Sequence, residues 1–251
     1  MGAEPMSAKF RVGVVMPTFN QAKFLPAALA SFFAQEVPVH VEATLVVVDD
    51  CSTDDTWEIL RAHPKVAQLV RHDANRGAAA AINTGVERIV GGATRMQPAL
   101  VPDVDALSWI SSDNEMSTGW LAAMVRALEA GAGLAYGGFH WIPPRGAARY
   151  LFAPYDPKRL ISDQNCYIGP AFLCRADVWL EAGPHRGRIS HDYDHWLRVE
   201  EACWARGLPI VGVDHSLCRY NAHDERATVV RADQYDAGHW QAAARERRAS
   251  K

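Results

Sequence analysis

Two stretches decide the fold: VGVVMPTFN at residues 12–20 and TLVVVDDCSTDD at residues 44–55. Each begins with a short apolar run, at residues 12–16 and 44–48, and each run passes directly into polar turn residues. Apolar runs of this length, rich in β-branched residues, are typical of the buried strands of a parallel sheet. We therefore predict two strands whose polar ends lie at the same edge of one sheet.

Strand and helix patterns alternate along the rest of the first half. Further strands are expected at residues 66–70 and 107–110, and helices at residues 25–33, 77–89 and 120–128, with a short helix capped by Ser52 or Thr53. This alternation predicts an α/β fold, with a mostly parallel central sheet and helices on both faces. In the second half we expect a long surface loop at residues 141–164 and helices at residues 176–182 and 192–206.

Composition excludes several classes of protein. The chain has 251 residues, of which 49% are hydrophobic and 22% charged, with a formal net charge of -3. These values argue against a disordered chain and against nucleic-acid binding through a broadly basic surface. The five cysteines show no CxxC spacing, which argues against a disulfide scaffold and favours a cytoplasmic location. No apolar run reaches the roughly 20 residues of a membrane span, so only peripheral contact of the basic tail with a membrane is left open.

Three polar clusters follow predicted strands, at residues 17–20, 49–50 and 112–115. Each cluster alone is also typical of an ordinary turn or cap. Together they place several acidic groups at the ligand-binding edge of the sheet, where a divalent cation such as Mn²⁺ or Mg²⁺ and a phosphate group would bind together. The sequence has neither GxxxxGK[ST] nor GxGxxG after the first strand. We therefore expect the cation to balance the charge of a nucleotide-sugar diphosphate.

The motifs VVMPTFN at residues 14–20, VVVDDCSTDDT at residues 46–56 and NRG at residues 75–77 resemble those of family 2 glycosyltransferases of the A-type (GT-A) fold. The resemblance implies a single Rossmann-like domain with an elaborated C-terminal half. Its parts would be a nucleotide-sugar-binding half at about residues 11–115, an acceptor-binding and catalytic half at about 116–228, and a tail at 229–251. It implies inverting transfer of one sugar from a nucleotide-sugar donor, expected to be UDP-linked, to a hydroxyl of a small molecule or glycan.

The resemblance also implies the donor site. The residues expected to bind the nucleotide sugar are Pro17, Thr18, Asn20, Asp49, Asp50, Arg76, Asn83, Ser112 and Asp113. Cys51 stands where the family usually has glycine.

The family's Asp-x-Asp metal motif has two possible registers in this chain. Asp113-Asn114-Glu115 gives one, and Ser111-Ser112-Asp113, with serine in place of the first acid, gives the other. The spacing to Gly119-Trp120 favours the second. Asp113 is the metal carboxylate in both registers, and Glu115 and His223 complete the implied set of metal ligands.

The segment HDYDHWLR at residues 191–198 resembles the family's Glu-Asp-x-Asp-x-Trp-x-Arg block, with His191 in place of glutamate. By this match Asp192 is the general base, since a carboxylate must take the proton of the attacking hydroxyl. Trp141, Asn165 and His191 are expected on the acceptor side, with Trp141 offering an aromatic surface to a sugar ring.

Two other functions stay open from the sequence. HDYDH at residues 191–195 mimics the HExxH motif of zinc hydrolases, for which His215 or His223 would supply a third ligand. A sugar-nucleotide-binding protein without catalysis is the other alternative, because Ser111 in place of an acid weakens the metal site.

Overall fold

The computed structural model describes residues 9–66, 68–91, 104–162, 168–187 and 191–223. Its strands are β1 (Phe10–Thr18), β2 (Val41–Asp49), β3 (Gln68–Arg71), β4 (Ala106–Trp109), β5 (Glu115–Met116), β6 (Leu134–Ile142), β7 (Arg149–Leu151), β8 (Phe172–Arg175) and β9 (Ile210–Asn221). Its helices are α1 (Leu25–Phe33), α2 (Thr56–Ala62), α3 (Ala78–Val90), α4 (Trp120–Glu129), α5 (Pro157–Ser162), α6 (Ala176–Ala182) and α7 (His191–Ala205).

All of these strands belong to one sheet, in the order β3-β2-β1-β4-β8-β6-β9-β5, with β7 paired to β6. β1 runs parallel to β2 and β4, and β2 runs parallel to β3. β8 is antiparallel to β4 and β6, whereas β9 is parallel to β6 and antiparallel to β5. The α/β fold is therefore confirmed, with a parallel first half of the sheet and a mixed second half.

Helices cover both faces of the sheet, as the sequence predicts. Val12, Val14 and Met16 of β1 belong to the buried core that contains residues of α1, α2 and α4. Val15 belongs to a second core, with residues of α3, α6 and α7. Because successive side chains of a strand point to opposite faces, this split along β1 shows that the strand is buried on both sides.

The second half has more regular structure than the sequence predicts. The expected loop at residues 141–164 contains the end of β6, all of β7 and all of α5, and its last two residues lie outside the described part. β6, β8 and β9 were not predicted. Within β6, Gly137 and Gly138 interrupt the strand pattern. A Cβ on Gly137 would collide with the buried Leu217, whereas a Cβ on Gly138 would meet only the end of the exposed Tyr150 side chain.

Two further points bear on the sequence predictions. α2 begins at Thr56 with Asp55 as its N-cap residue, and not at Ser52 or Thr53. Within the described ranges, no helix combines the length and the apolar character that crossing a bilayer requires.

α3 packs closely on β1 through two glycines. A Cβ on Gly13 would collide with Ile89 of α3, and a Cβ on Gly85 would collide with Val15 of β1. This close approach brings the beginning of α3 to the strand edge where the polar residues gather.

Gly85→Ala tests this packing. We expect it to lower the free energy of unfolding by about 1–3 kcal/mol, because the added methyl group has no space in the core. Urea denaturation followed by circular dichroism measures the change. Gly119→Ala is the control for an added Cβ with free space, since that Cβ would meet no atom within 4 Å; because Gly119 is the N-cap residue of α4, it should cost less than about 1 kcal/mol. Equal losses in the two variants would contradict the close contact between α3 and β1.

Candidate active site

The parallel register places three polar strand ends side by side. Thr18 of β1 pairs with Asp49 of β2, which in turn pairs with Arg71 of β3. Thr18 is buried, and its Oγ1 has no hydrogen-bond partner within the described ranges. Pro17 precedes it on β1 and is half-buried. The polar ends of the first strands therefore meet at one edge, as the sequence predicts.

The loops after β1 and β2 are joined by their own side chains. Asn20 Oδ1 accepts a hydrogen bond from the Thr53 N–H at 2.8 Å, and Ser52 Oγ accepts one from the Asn20 N–H at 3.0 Å. Asn20 has a φ of 53°, and Cys51, at the position where the family usually has glycine, has a φ of 66°. Asparagine tolerates this left-handed region better than most residues, whereas at Cys51 it costs energy.

Asp49 is completely buried among protein partners. Its carboxylate accepts hydrogen bonds from the Ser52 N–H and hydroxyl group, and it lies 3.2 Å from Arg71 Nε. Arg71 also donates to the Ser52 carbonyl at 2.9 Å and lies over the ring of Trp57. Sequence reasoning missed Arg71, although a basic residue at the end of the third predicted strand was the available signal.

Asp50 closes the N-terminus of α3. Its Oδ1 accepts from His72 Nδ1 at 2.7 Å and from the Arg76 N–H at 2.9 Å, and its Oδ2 accepts from the Gly77 N–H at 2.7 Å. Gly77 is the N-cap residue of α3 and Arg76 precedes it, so the Asp50 carboxylate fixes the chain where it enters the helix. Direct contact of Asp49 and Asp50 with a nucleotide stays a prediction, and the structure shows both carboxylates engaged by the protein.

The two predicted donor-binding residues around α3 are placed differently. Arg76 is exposed at the beginning of the helix. Asn83 lies further along, where its Oδ1 accepts from the His185 N–H and its Nδ2 donates to the His185 carbonyl, both at 2.9 Å. The Asn83 amide therefore holds the loop between α6 and α7.

Asp113 and His223 come together although 110 residues separate them in the chain. His223 Nε2 lies 3.1 Å from Asp113 Oδ2, and the His223 ring stacks on Phe24 with centroids 4.4 Å apart. Asn221 fixes this arrangement, because its Nδ2 donates to the Asp113 carbonyl at 2.8 Å and its N–H donates to Asn114 Oδ1 at 3.0 Å. Ser112, beside Asp113, is buried.

Glu115 does not join this pair. It lies on β5 opposite Arg219 of β9, and its Oε1 is 3.9 Å from Arg219 Nε. Across the parts of the chain that the structure describes, no group of three or more histidine, cysteine, aspartate or glutamate side chains could hold a metal ion. The expected set of Asp113, Glu115 and His223 as metal ligands stays a prediction, and in this structure Glu115 pairs with Arg219 whereas Asp113 pairs with His223.

The two aspartates of HDYDHWLR have different environments. Asp192 is half-buried in the first turn of α7, and its Oδ1 accepts from the Tyr193 N–H at 2.8 Å. Asp194 is buried, and Arg198 Nη2 lies 2.7 Å from its Oδ2. The same guanidinium donates to the carbonyls of Ala182 and Pro184. Asp194 is thus part of an internal ion pair, whereas Asp192 is the accessible carboxylate.

Three histidines pack together beside this turn. The rings of His185 and His195 stack with centroids 4.0 Å apart, and His185 Nδ1 lies 3.1 Å from His191 Nδ1. Burial lowers the pKa of all three imidazoles, and the nearby Arg198 guanidinium lowers the pKa of His185 and His195 further, whereas Asp192 acts in the opposite direction on His191. The cluster is therefore neutral at pH 7.

This arrangement gives the zinc-hydrolase alternative no metal site. His223, one of its expected third ligands, lies against Asp113, and His215, the other, is exposed on β9. The third histidine beside His191 and His195 is His185, yet the described part of the chain holds no group of three side chains suited to a metal ion.

Of the three residues expected on the acceptor side, the structure describes Trp141 and His191. Trp141 is half-buried on β6, where it pairs with Arg149 of β7 and Tyr220 of β9. The ring of His191 lies 6.0 Å from that of Trp109, at the end of β4. Asn165 lies outside the described residues.

Asp50→Asn tests the cap of α3. An amide offers one acceptor oxygen where the carboxylate offers two, so one buried N–H group would face an NH₂ group, and we expect a loss of about 2–4 kcal/mol in the free energy of unfolding. Chemical denaturation measures it. Asp73→Asn, which changes an exposed aspartate of the following loop, is the control and should stay within about 0.5 kcal/mol of the wild type. If Asp50→Asn leaves the free energy of unfolding unchanged, the Asp50 cap contributes nothing to stability.

Comparison with solved structures relates this fold to known enzymes. Staphylococcus aureus TarS in complex with UDP-GlcNAc superposes with a TM-score of 0.67 at 15% sequence identity, covering 86% of this chain and 60% of that chain. The mannosyltransferase PcManGT of Pyrobaculum calidifontis, in complex with GDP-Man and Mn²⁺, superposes with a TM-score of 0.61 at 18% identity, covering 93% of this chain and 63% of that chain. At these identities the likeness shows the fold, which is the GT-A fold.

Sequence comparison gives the family. The glycosyltransferase AglE of Haloferax volcanii is 26% identical over 196 residues, which is 74% of this chain and 60% of the relative. An uncharacterised glycosyltransferase of Mycobacterium tuberculosis is 32% identical over 202 residues, 77% of this chain and 80% of the relative. The chain spans 60% of the length of AglE. It spans 32% of the length of TuaG, a glycosyltransferase of Bacillus subtilis, and 26% of the length of the chondroitin synthase of Escherichia coli. The profile of the family described as "Glycosyl transferase family 2" matches residues 13–166, and the chain therefore belongs to that family of glycosyltransferases.

Proposed function

We propose that the chain catalyses the inverting transfer of one sugar from a nucleotide-sugar donor, UDP-linked, to a hydroxyl group of a small molecule or glycan. One observation carries this proposal: the end of β4 connects the two chemical centres. The ring of Trp109 packs near His191, the residue before Asp192, and four residues further along the chain Asp113 pairs with His223. A carboxylate suited to proton transfer and a pair of groups suited to a cation thus border the same region.

The donor would lie over the C-terminal ends of β1, β2 and β4. Arg76 offers an exposed cation to the nucleotide, and Thr18 offers a hydroxyl group without a protein partner in the described part. We assign Asp49 and Asp50 to holding the surrounding loops, because their oxygens already accept hydrogen bonds from the protein. UDP-GlcNAc in TarS supports a UDP-linked donor for this chain, and GDP-Man in PcManGT is the alternative that the experiment must separate.

Asp113 and His223 fit a divalent cation. Cations in phosphate-binding sites commonly take one or two protein ligands and complete their shell with water and substrate oxygens, so a third protein ligand is not required. The buried Nδ1 of His223 has no hydrogen-bond partner within the described ranges, so the Nε2 contact with Asp113 is the only hydrogen bond of the ring there. When bound, Mn²⁺ or Mg²⁺ would offset the negative charge of the departing diphosphate.

The chain's own residues would carry the proton transfer. Asp192 would accept the proton of the acceptor hydroxyl as its oxygen attacks the anomeric carbon, while the bond from that carbon to the diphosphate oxygen breaks on the opposite face. One displacement without a covalent intermediate inverts the configuration. Trp141, near the strand ends that carry Asn221 and His223, would offer its ring to the acceptor.

A thermal-shift experiment tests donor and cation together. UDP, GDP, dTDP and their sugars are added with and without Mn²⁺, and we expect UDP with Mn²⁺ to raise the melting temperature most. A ligand at 100 times its Kd stabilises by about 2.7 kcal/mol. Asp113→Asn and His223→Ala should lose the part of the shift that requires Mn²⁺, and Glu115→Gln should keep it. If no nucleotide diphosphate changes the melting temperature, the proposed donor site is wrong.

Asp192→Asn tests the general base. We expect kcat to fall about 10²–10⁴-fold, because the amide cannot accept the proton, while the thermal shift produced by the donor is unchanged. Release of nucleoside diphosphate from UDP-GlcNAc and GDP-mannose measures the rate. Asp194→Asn is the contrast, and it should lower the melting temperature because Arg198 loses its buried partner.

Two outcomes separate the alternatives. Full turnover by Asp192→Asn would exclude Asp192 as the base. Donor binding by the wild type without consumption of any donor, over a broad set of hydroxyl acceptors, would favour a sugar-nucleotide-binding protein without catalysis.

A further inference from the structure

His185 lies in the loop between α6 and α7, and this loop is tied to a helix on each side. The His185 N–H and carbonyl are both bonded to the amide of Asn83 on α3, each at 2.9 Å. The carbonyls of Ala182 and Pro184 accept from Arg198 of α7. Although it is a loop residue, His185 is therefore bonded through both its N–H and its carbonyl, and it is buried.

The His185 ring reaches the first residue of α7. Its Nδ1 is 3.1 Å from His191 Nδ1, so one ring donates and the other accepts. The His185 ring also stacks on His195, and the His191 ring packs near Trp109 of β4. The orientation of His191 is thus set by contacts outside its own helix.

Asp192 directly follows His191. The hydrogen bond from the Tyr193 N–H to its Oδ1, at 2.8 Å, lies within the same turn. The direction of the Asp192 carboxylate therefore depends on how the first turn of α7 is oriented, and the His191 ring anchors that turn to the preceding loop.

We propose that His185 is a positioning residue for Asp192. Its Nδ1 hydrogen bond to His191, together with the two hydrogen bonds from Asn83 to its main chain, orients the turn that carries the general base. This proposal rests on the proposed function, in which Asp192 takes the acceptor proton. It also gives His191 and Asn83 a different task from the substrate contacts that the sequence resemblance implies.

The charges around the pair favour two neutral rings near pH 7. Burial lowers the pKa of His185 and of His191, and the positive charge of Arg198 on α7 adds to this effect on His185. Asp192 and Asp194 of α7 favour a proton on His191 but do not outweigh its burial. The groups that face the cluster from α3, α6 and β4 are Asn83, Trp179 and Trp109, all uncharged. With neutral rings, the donor carries its proton on Nδ1 and the acceptor carries its proton on Nε2.

Nuclear magnetic resonance reads this arrangement without any substrate. In the full chain labelled with ¹⁵N-histidine and ¹³C-aspartate at pH 7.5, we expect one ring of the pair in the Nδ1–H tautomer and the other in the Nε2–H tautomer. The Asp192 carboxyl signal is assigned by its loss in Asp192→Asn.

Three variants separate positioning from packing. His185→Phe keeps a ring but removes Nδ1, so the His191 tautomer and the Asp192 carboxyl signal should both change. His195→Phe makes the same substitution in the same stack without touching the bond, so it should leave both signals close to the wild type. His185→Asn places an amide near the position of Nδ1 and should restore part of the wild-type pattern.

Kinetics give the second readout. With UDP-GlcNAc or GDP-mannose, whichever the wild type consumes, His185→Phe should lower kcat about 10–100-fold with little change in the KM for the donor, because a displaced base slows chemistry more than binding. His195→Phe should not produce this selective fall in kcat at nearly constant KM. His185→Asn should recover part of the kcat that His185→Phe loses.

The proposal is overturned if the His191 and Asp192 signals are the same in His185→Phe and the wild type, or if His195→Phe changes them equally. It is also overturned if His185→Phe retains the wild-type kcat while Asp192→Asn loses it. If Asp192→Asn itself keeps the wild-type kcat, the proposed base is wrong, and the resonance experiment still decides whether His185 orients this turn.

Discussion

The carboxylate of Asp50 holds the beginning of α3, and the rest of the site is placed relative to that helix. Three hydrogen bonds from His72, Arg76 and Gly77 converge on the two oxygens of this one buried side chain. α3 then lies close against β1 through glycine contacts and, within its 13 residues, reaches the loop before α7 through Asn83. One helix therefore relates the donor half to the turn that carries Asp192.

The two groups of residues that this helix contacts are stabilised by different electrostatic means. At its beginning, buried carboxylates are compensated by N–H groups and by Arg71, and such compensation is required, since an unpaired buried charge is strongly destabilising. Beside Asn83, the buried imidazoles of His185 and His195 stay neutral and stack on each other, because desolvation disfavours their charged form. In the proposed function, the first arrangement would hold loops near an anionic donor, and the second would orient a helix without adding charge beside the base.

Sequence reasoning predicted the first half of the fold better than the second. The strands at residues 12–16 and 44–48 are buried on both faces, so their apolar runs are visible without any partner. β9 is a long strand with many half-buried and exposed positions, and β6 contains two glycines, one of them packed against Leu217, so neither shows the apolar pattern of a buried strand. In the site, the carboxylates could be recognised by residue type alone. The role of Arg71 follows from the strand register that sets it beside Asp49, and the role of His185 follows from its contacts with α3 and α7, and neither is visible in the sequence. Asp113 and His223 were linked by family resemblance alone, and their 3.1 Å approach shows that β9 brings them together.

The pairing of Glu115 with Arg219 bears on what the proposed cation site would do. Among the described residues, Asp113 and His223 are the two that lie together, whereas Glu115 faces Arg219 across the sheet. A cation on two ligands binds weakly by itself and gains most of its affinity from the oxygens of a diphosphate. By linkage, the diphosphate would gain the same free energy from the cation. Two ligands in place of three would therefore make cation and donor binding mutually dependent, so that the charge that stabilises the leaving group would be present chiefly when a donor is bound.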